Sequence, residues 1–100
     1  MIALILAKVH GNGSNSVLAV CDKELCGKTL KSGRADFVVS KGFYEGKEIS
    51  EKRLKTMLHE FENINIVGNK AVQLAMEEGI ACKENVIEIG KIKHVQIFKI

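Results

Sequence analysis

Proline is absent from this chain of 100 residues, so its turns must be built from glycine and asparagine. Aromatic residues are scarce, five in all, and none is interleaved with basic residues in the manner of RNA-recognition motifs. No apolar run is long enough to cross a membrane. The apolar start, Ile2 to Ala7, is too short for a span and lacks the basic leader and small-residue cleavage site of a signal peptide. No linker, low-complexity tract or internal repeat divides the sequence, which is expected to form a single α+β domain over residues 1–100. Cysteines number three. An odd count without a signal peptide argues against a disulfide framework and for a reducing cytoplasm, and no membrane association is expected.

Two chemistries are suggested by the stretch from Ala19 to Thr29, and each lacks a necessary part. Gly27-Lys28-Thr29 is the second half of a phosphate-binding loop, G-x-x-x-x-G-K-[ST], whose backbone N–H groups wrap the phosphates. The first glycine of that loop would fall at position 22, which is Asp22. A carboxylate there points negative charge at a phosphate, and the segment that follows, Leu30 to Arg34, is broken by Gly33, so no helix N-terminus receives the anion. Zinc fails on donor count. Cys21 and Cys26 are suitably spaced, but Cys82, His10, His59 and His94 are scattered singly and supply no second pair. Neither cofactor nor metal is expected, and the thiols are read as buried and inert.

What is present is an uneven basic charge. The net charge is +3, and residues 1 to 44 carry Lys8, Lys23, Lys28, Lys31, Arg34 and Lys41 against Asp22, Glu24 and Asp36. The final stretch from Ile89 carries Lys91, Lys93 and Lys99 and no acid. Side by side, these regions would form a basic face for an anionic polymer; the alternative is that the lysines only solvate exposed strands and guard sheet edges.

Periodicity outlines the elements. Ile2 to Val9 and Ser16 to Cys21 read as strands joined through the turn-rich His10 to Asn15, and Asp36 to Ser40 reads as a third strand. Ser50 caps a helix whose apolar positions Leu54, Met57, Leu58 and Phe61 recur at i, i+3, i+4 and i+7, with Glu51 and Lys55 paired along its outer face. A second helix starts between Asn65 and Asn69, buries Val72, Ala75 and Met76, and ends at a left-handed cap on Gly79. Glu77 and Glu78 in its last turn oppose the helix dipole. Val86 to Ile89 and Ile92 to Ile100 follow as strands, with Val95 and Ile97 on one face and His94, Gln96 and Phe98 on the other. The order β-β-β-α-α-β-β implies an α+β fold: a small, mainly antiparallel or mixed sheet of about five strands with two helices packed on one side.

Several spaced fragments carry a family resemblance. They are Ala19-Val20-Cys21-Asp22, Glu24-Leu25, Gly27-Lys28, Phe43-Tyr44 with Gly46, Val67-Gly68, Ala71-Val72, Asn85-Val86-Ile87, and His94 followed by Gln96. In this order they resemble the small archaeal family known as domain of unknown function 424, over almost the whole chain. The resemblance implies an archaeal cytoplasmic protein without an assigned activity, and marks Asp22, Gly27, Lys28, Tyr44, Gly68, His94 and Gln96 as motif positions. Gly27 and Gly46 are expected at positive φ, and Gly68 at the start of the second helix or at a close backbone approach.

Three function classes remain. A non-enzymatic module binding RNA or a ribonucleoprotein, associated with translation, would use Lys28, Lys31, Arg34, Tyr44, Lys93, His94 and Gln96, with Lys91 beside them. A protein-interaction adaptor or homodimer would anchor through Phe43, Tyr44 or Phe98. A small hydrolase or transferase would need His94 as general base, Asp22 to orient it and Lys28 to steady an anion. The first leads, and the non-enzymatic reading is preferred to the enzymatic one, with the question of activity left open.

Overall fold

The turn-rich stretch folds the first two apolar runs back on one another as expected. In the computed structural model, which describes residues 4–33 and 36–99, β1 (Ile5–His10) and β2 (Val17–Asp22) pair antiparallel, with Ile5 opposite Asp22 and His10 opposite Val17. Both lie inside a six-stranded mixed sheet. Its remaining members are β5 (Lys47–Ile49), β6 (Asn63–Val67), β7 (Ile87–Ile89) and β8 (Ile92–Phe98), in the order β5-β1-β2-β6-β8-β7. The one parallel pairing described is at the centre, where Val17 to Cys21 of β2 face Asn63 to Val67 of β6.

The α+β class holds, with both longer helices on one face, but the sheet is larger than the periodicity suggests. The segment Asp36 to Ser40 does supply a strand, β4 (Asp36–Val38), yet it stays out of the main sheet and pairs with β3 (Thr29–Lys31) in a separate hairpin. The second helix, α3 (Asn69–Glu77), is preceded by β6, a strand absent from the expected order. Asn63-Ile64-Asn65-Ile66 has the alternation of a strand with one wetter face, at a length where a flanking helical pattern masks it.

The sheet is covered on both sides by different means. Leu18, Val20, Ile64, Ile66 and Val95 meet Leu54, Leu58, Val72 and Ala75 of α2 (Glu51–Leu58) and α3 in the larger core. On the opposite face, Leu6, Ala19, Cys21 and Val67 pack beneath Leu25, Val39 and Tyr44, with Leu30 and Phe37 of the β3–β4 hairpin. Tyr44 ends a single-turn helix, α1 (Lys41–Tyr44). Each fully buried aliphatic side chain contributes about 1.5–3 kcal/mol relative to exposure, so the two helices and the small cover are both held chiefly by apolar contact. Among the described residues, no helix is long and apolar enough to cross a membrane.

Local signals at the helices are met in detail. The Ser50 hydroxyl accepts the Arg53 N–H at 3.0 Å, and α3 closes with the Ile80 N–H bonded to the Ala75 carbonyl. The charges pair differently from the expected i, i+4 arrangement: Glu51 reaches Lys70 at 3.4 Å and Lys55 reaches Glu77 at 3.5 Å, while His59 meets Glu78 at 2.9 Å. Those pairs link α2 to α3 and offset the dipole cost of Glu77 and Glu78. Gly27 takes φ +86 as expected, whereas Gly46 is required for space, since a Cβ there would overlap the Ala7 carbonyl.

Candidate functional site

Asp22 ends β2 on the helix-bearing face and is 7% exposed. Its carboxylate accepts the Lys70 N–H at 3.0 Å and the Ala71 N–H at 2.9 Å, two of the free donors at the start of α3. The cap position itself is held by Gly68 at φ +127, which has no side chain to cap with. A Cβ on Gly68 would stand 2.7 Å from both Asp22 carboxylate oxygens. The two motif positions are therefore one device, with the strand supplying the cap and the glycine making room for it. Burial pushes the Asp22 carboxyl up from its ordinary value, and the two backbone N–H groups pull it the other way. The anion-binding helix terminus that a phosphate site beside Lys28 would need is thus filled by the protein's own carboxylate. Downstream of Asp22 comes a short 3₁₀ turn, Lys23–Leu25, and then β3, with no helix for a phosphate loop.

His94 lies on the other face. In β8, Val95 and Ile97 enter the helix-side core, so His94, Gln96 and Phe98 point away from it. The His94 Nδ1–H donates to the Ile66 carbonyl at 2.8 Å, and its ring stands 4.9 Å from that of Phe37. Asp22 and His94 occupy opposite faces of the sheet and each is committed to other partners. The dyad in which Asp22 orients His94 does not form.

Tyr44 is 2% exposed and cannot itself touch a partner. Its hydroxyl donates to Asn65 Oδ1 at 2.5 Å, and its ring meets Phe43 edge-on. Phe43 stacks on His10 at 4.7 Å, His10 Nε2 donates to the Phe43 carbonyl at 2.7 Å, and Lys8 Nζ donates to the Gly42 carbonyl at 2.9 Å. α1 is thereby clamped over β1. Burial pushes the Tyr44 phenol well up, and it pushes the neighbouring Cys21 thiol up to about 12, with Cys26 and Asp22 adding to the effect on Cys21. Asn65 lies opposite Gln96, and Asn63 opposite Phe98, so an amide strip runs beside the covered region. Gln96 is exposed and Phe98 is 74% exposed. Asn63 and Asn65 do not stand out in the sequence; the period-two alternation of β6 is the signal that marks them.

The two basic segments meet. The β3–β4 hairpin rests against the β7–β8 turn: Leu30 and Phe37 share the smaller core with Ile92, and a Cβ on Gly90 would lie 2.9 Å from the Lys31 carbonyl. Lys31 and Lys91 are exposed at this end, Lys31 in a 3.1 Å pair with Asp36, and Lys28 is exposed just before β3, bonded through its backbone to Leu25 and Val39. Among the described residues, Lys28, Lys91 and Lys93 form no ion pair. Lys93 shares the helix-bearing side with Val95, and its backbone is held by Asn69 Oδ1 at 2.8 Å. Arg34 lies outside the described residues. The expected binding residues thus divide into Lys31 and Lys91 at one end, Lys28 at the start of the hairpin, His94 and Gln96 on the face opposite the helices, Tyr44 buried within the cover on that face, and Lys93 on the helix-bearing side.

No group of three or more His, Cys, Asp or Glu among the described residues is placed to hold a metal ion. A cleft of about 480 Å³ between β1, β5 and α2 is floored by Ala7, Val9, Ile49 and Met57, away from every polar motif position.

None of the curated proteins matches the chain. Among solved structures, the crystal structure of an uncharacterized conserved protein from Methanopyrus kandleri is similar, at 31% identity over 98% of this chain and 95% of that one, with a TM-score of 0.77. A family model described as protein of unknown function (DUF424) matches residues 10–100. The Asp22–Gly68 cap and the Tyr44–Asn65–Gln96 strip all fall inside that span, and the chain belongs to this family.

Proposed function

We propose that the protein is a non-enzymatic RNA-binding module of the archaeal cytoplasm that works within a ribonucleoprotein associated with translation. The observation that carries this reading is the meeting of the hairpin and the β7–β8 turn, which brings Lys31 beside Lys91, with Lys28 exposed at the start of the same hairpin. Lysines grouped this way neutralise phosphates and release counterions, whatever the sequence bound. With three phosphates engaged on a single strand, affinity for total tRNA or ribosomal RNA falls roughly twentyfold as salt rises fourfold. Filter binding across a salt series tests this. Absence of binding, or binding indifferent to salt, defeats the reading.

A protein-interaction role is the second reading, favoured by apolar side chains left in water: Phe98 at 74%, Val38 at 58% and Ile87 at 56% exposure. Tyr44 is buried and offers no anchor, while Phe43 is half-buried and stacked on His10. Light scattering at micromolar concentration separates the two, since a self-associating chain runs as a dimer without RNA.

A further inference from the structure

The cover on the sheet's second face is partial. α1 sits over β1, and the β3–β4 hairpin reaches β8 only as far as His94, where Phe37 meets the ring. Beyond that point β6 and β8 run on uncovered, presenting Asn65 opposite Gln96 and Asn63 opposite Phe98. Apolar residues would be costly here and charged ones would suffice for solubility. The strip instead carries three amides and one ring.

Two details distinguish these side chains from ordinary solvated positions. Asn65 is oriented from the adjoining cover: the Tyr44 hydroxyl, a buried donor, holds Oδ1, so the Nδ2 hydrogens face away from Tyr44. Asn63 and Gln96 make no side-chain hydrogen bond to protein among the described residues, so their donors and acceptors are available. Phe98 lies two residues along the same strand face from Gln96, roughly 6.8 Å away, with its ring largely in water. A flat aromatic ring beside free amides matches the faces and edges of unpaired bases, which a duplex hides by stacking and pairing.

We infer that this strip binds single-stranded RNA, with one base stacked on Phe98 and a neighbouring base hydrogen-bonded by Asn65 and Gln96. The strand continues past His94 toward Lys31 and Lys91, whose charge complements its phosphates. Tyr44 acts as a positioning residue, fixing the Asn65 amide without contacting RNA. The inference rests on the RNA-binding reading and adds to it a strand state and a set of base contacts.

Fluorescence anisotropy with a labelled mixed-sequence single-stranded RNA of about ten nucleotides, within the site sizes common for such surfaces, and with the same strand annealed to its complement, tests it on wild type, Phe98→Ala, Gln96→Ala and Lys91→Ala. Phe98 and Gln96 are exposed, so their variants are expected to fold, and circular dichroism verifies this. The expected result is tighter binding of the single strand than of the duplex. Removing the Phe98 ring weakens the single strand by roughly five- to hundredfold and leaves the duplex unchanged, whereas Lys91→Ala weakens both. Equal binding of both forms, unaffected by Phe98→Ala, overturns the strip while leaving RNA binding at the basic end intact. If wild type binds neither form at any salt, the RNA reading itself has failed. A Phe98→Ala variant that dissociates a dimer with RNA affinity unchanged assigns the strip to self-association and overturns the inference.

Discussion

Asp22 caps α3 from a strand, 48 positions before Lys70 in the chain. Replacing it with alanine leaves the Lys70 and Ala71 N–H groups without their acceptor and is expected to cost about 2 kcal/mol. Asp22→Asn, which keeps one acceptor oxygen, costs about half as much. Gly68→Ala is damaging in the wild type, where the methyl meets the carboxylate, and milder once Asp22 is alanine. A double-mutant cycle read by urea denaturation is expected to show coupling above about 0.5 kcal/mol; strict additivity would disprove the contact. In sequence, Asp22 stands out as the residue that spoils a phosphate loop, as a motif position and as a candidate to orient His94, never as the cap of α3. Its role is hidden there because both partners are distant in the chain and one, Gly68, acts by having no side chain. His94 and Gln96 are legible as one strand face, since alternation alone sorts them from Val95 and Ile97.

Cys21 gives the pH dependence. Its ordinary value is 9.0 and burial moves it to about 12, so the folded state keeps a proton that the unfolded chain releases. The associated stability is whole below pH 9.0 and is lost as pH rises toward 12, at up to about 1.4 kcal/mol per unit. Tyr44, shifted in the same direction from 10.0, steepens the loss above that value. Urea midpoints measured across this alkaline range are expected to fall less steeply in Cys21→Ala than in wild type. An unchanged slope would remove the thiol from the account.

Among the elements, length and periodicity decide what can be read. α2 has eight residues, an apolar stripe and a serine cap. Ser50→Ala is expected to lower stability by about 1 kcal/mol in thermal or urea unfolding, because the Arg53 N–H then has no side-chain acceptor. β3 and β5 have three residues each, too few for a period to show, and both owe their strand geometry to a neighbour: β4 for one, the edge of β1 for the other. β6 is harder to see for another reason. Its alternation is in plain view, but two helical patterns flank it and the parallel pairing with β2 that stabilises it is entirely tertiary. The amide strip belongs in part to β6, so it stays out of sight with the strand.

For the whole molecule, the uneven distribution of lysine along the chain is legible in sequence and its convergence is not. Charge in sequence says which segments are basic; the β3–β4 hairpin folding against Gly90 makes them neighbours. Reversing Lys28 and Lys91 together to glutamate is expected to flatten the salt dependence of RNA binding by about 0.7 of a unit of slope for each single-strand phosphate no longer engaged. A double variant with unaltered salt dependence would place the RNA elsewhere. Stability should change little, because both side chains are exposed and neither forms an ion pair among the described residues.

The parallel seam between β2 and β6 also sets an order of events. Every residue from the β3–β4 hairpin through α2 lies in the loop that must close before β2 can reach β6 and Asp22 can reach α3. The first hairpin can form in microseconds, but alone it buries neither face. Closing the long loop costs entropy before any contact offsets it, so the rate-limiting step of folding is expected at the seam, on a time scale of about milliseconds or slower in stopped-flow refolding. On a ribosome, the amino-terminal half would wait, its apolar strands exposed, until β6 and α3 had emerged.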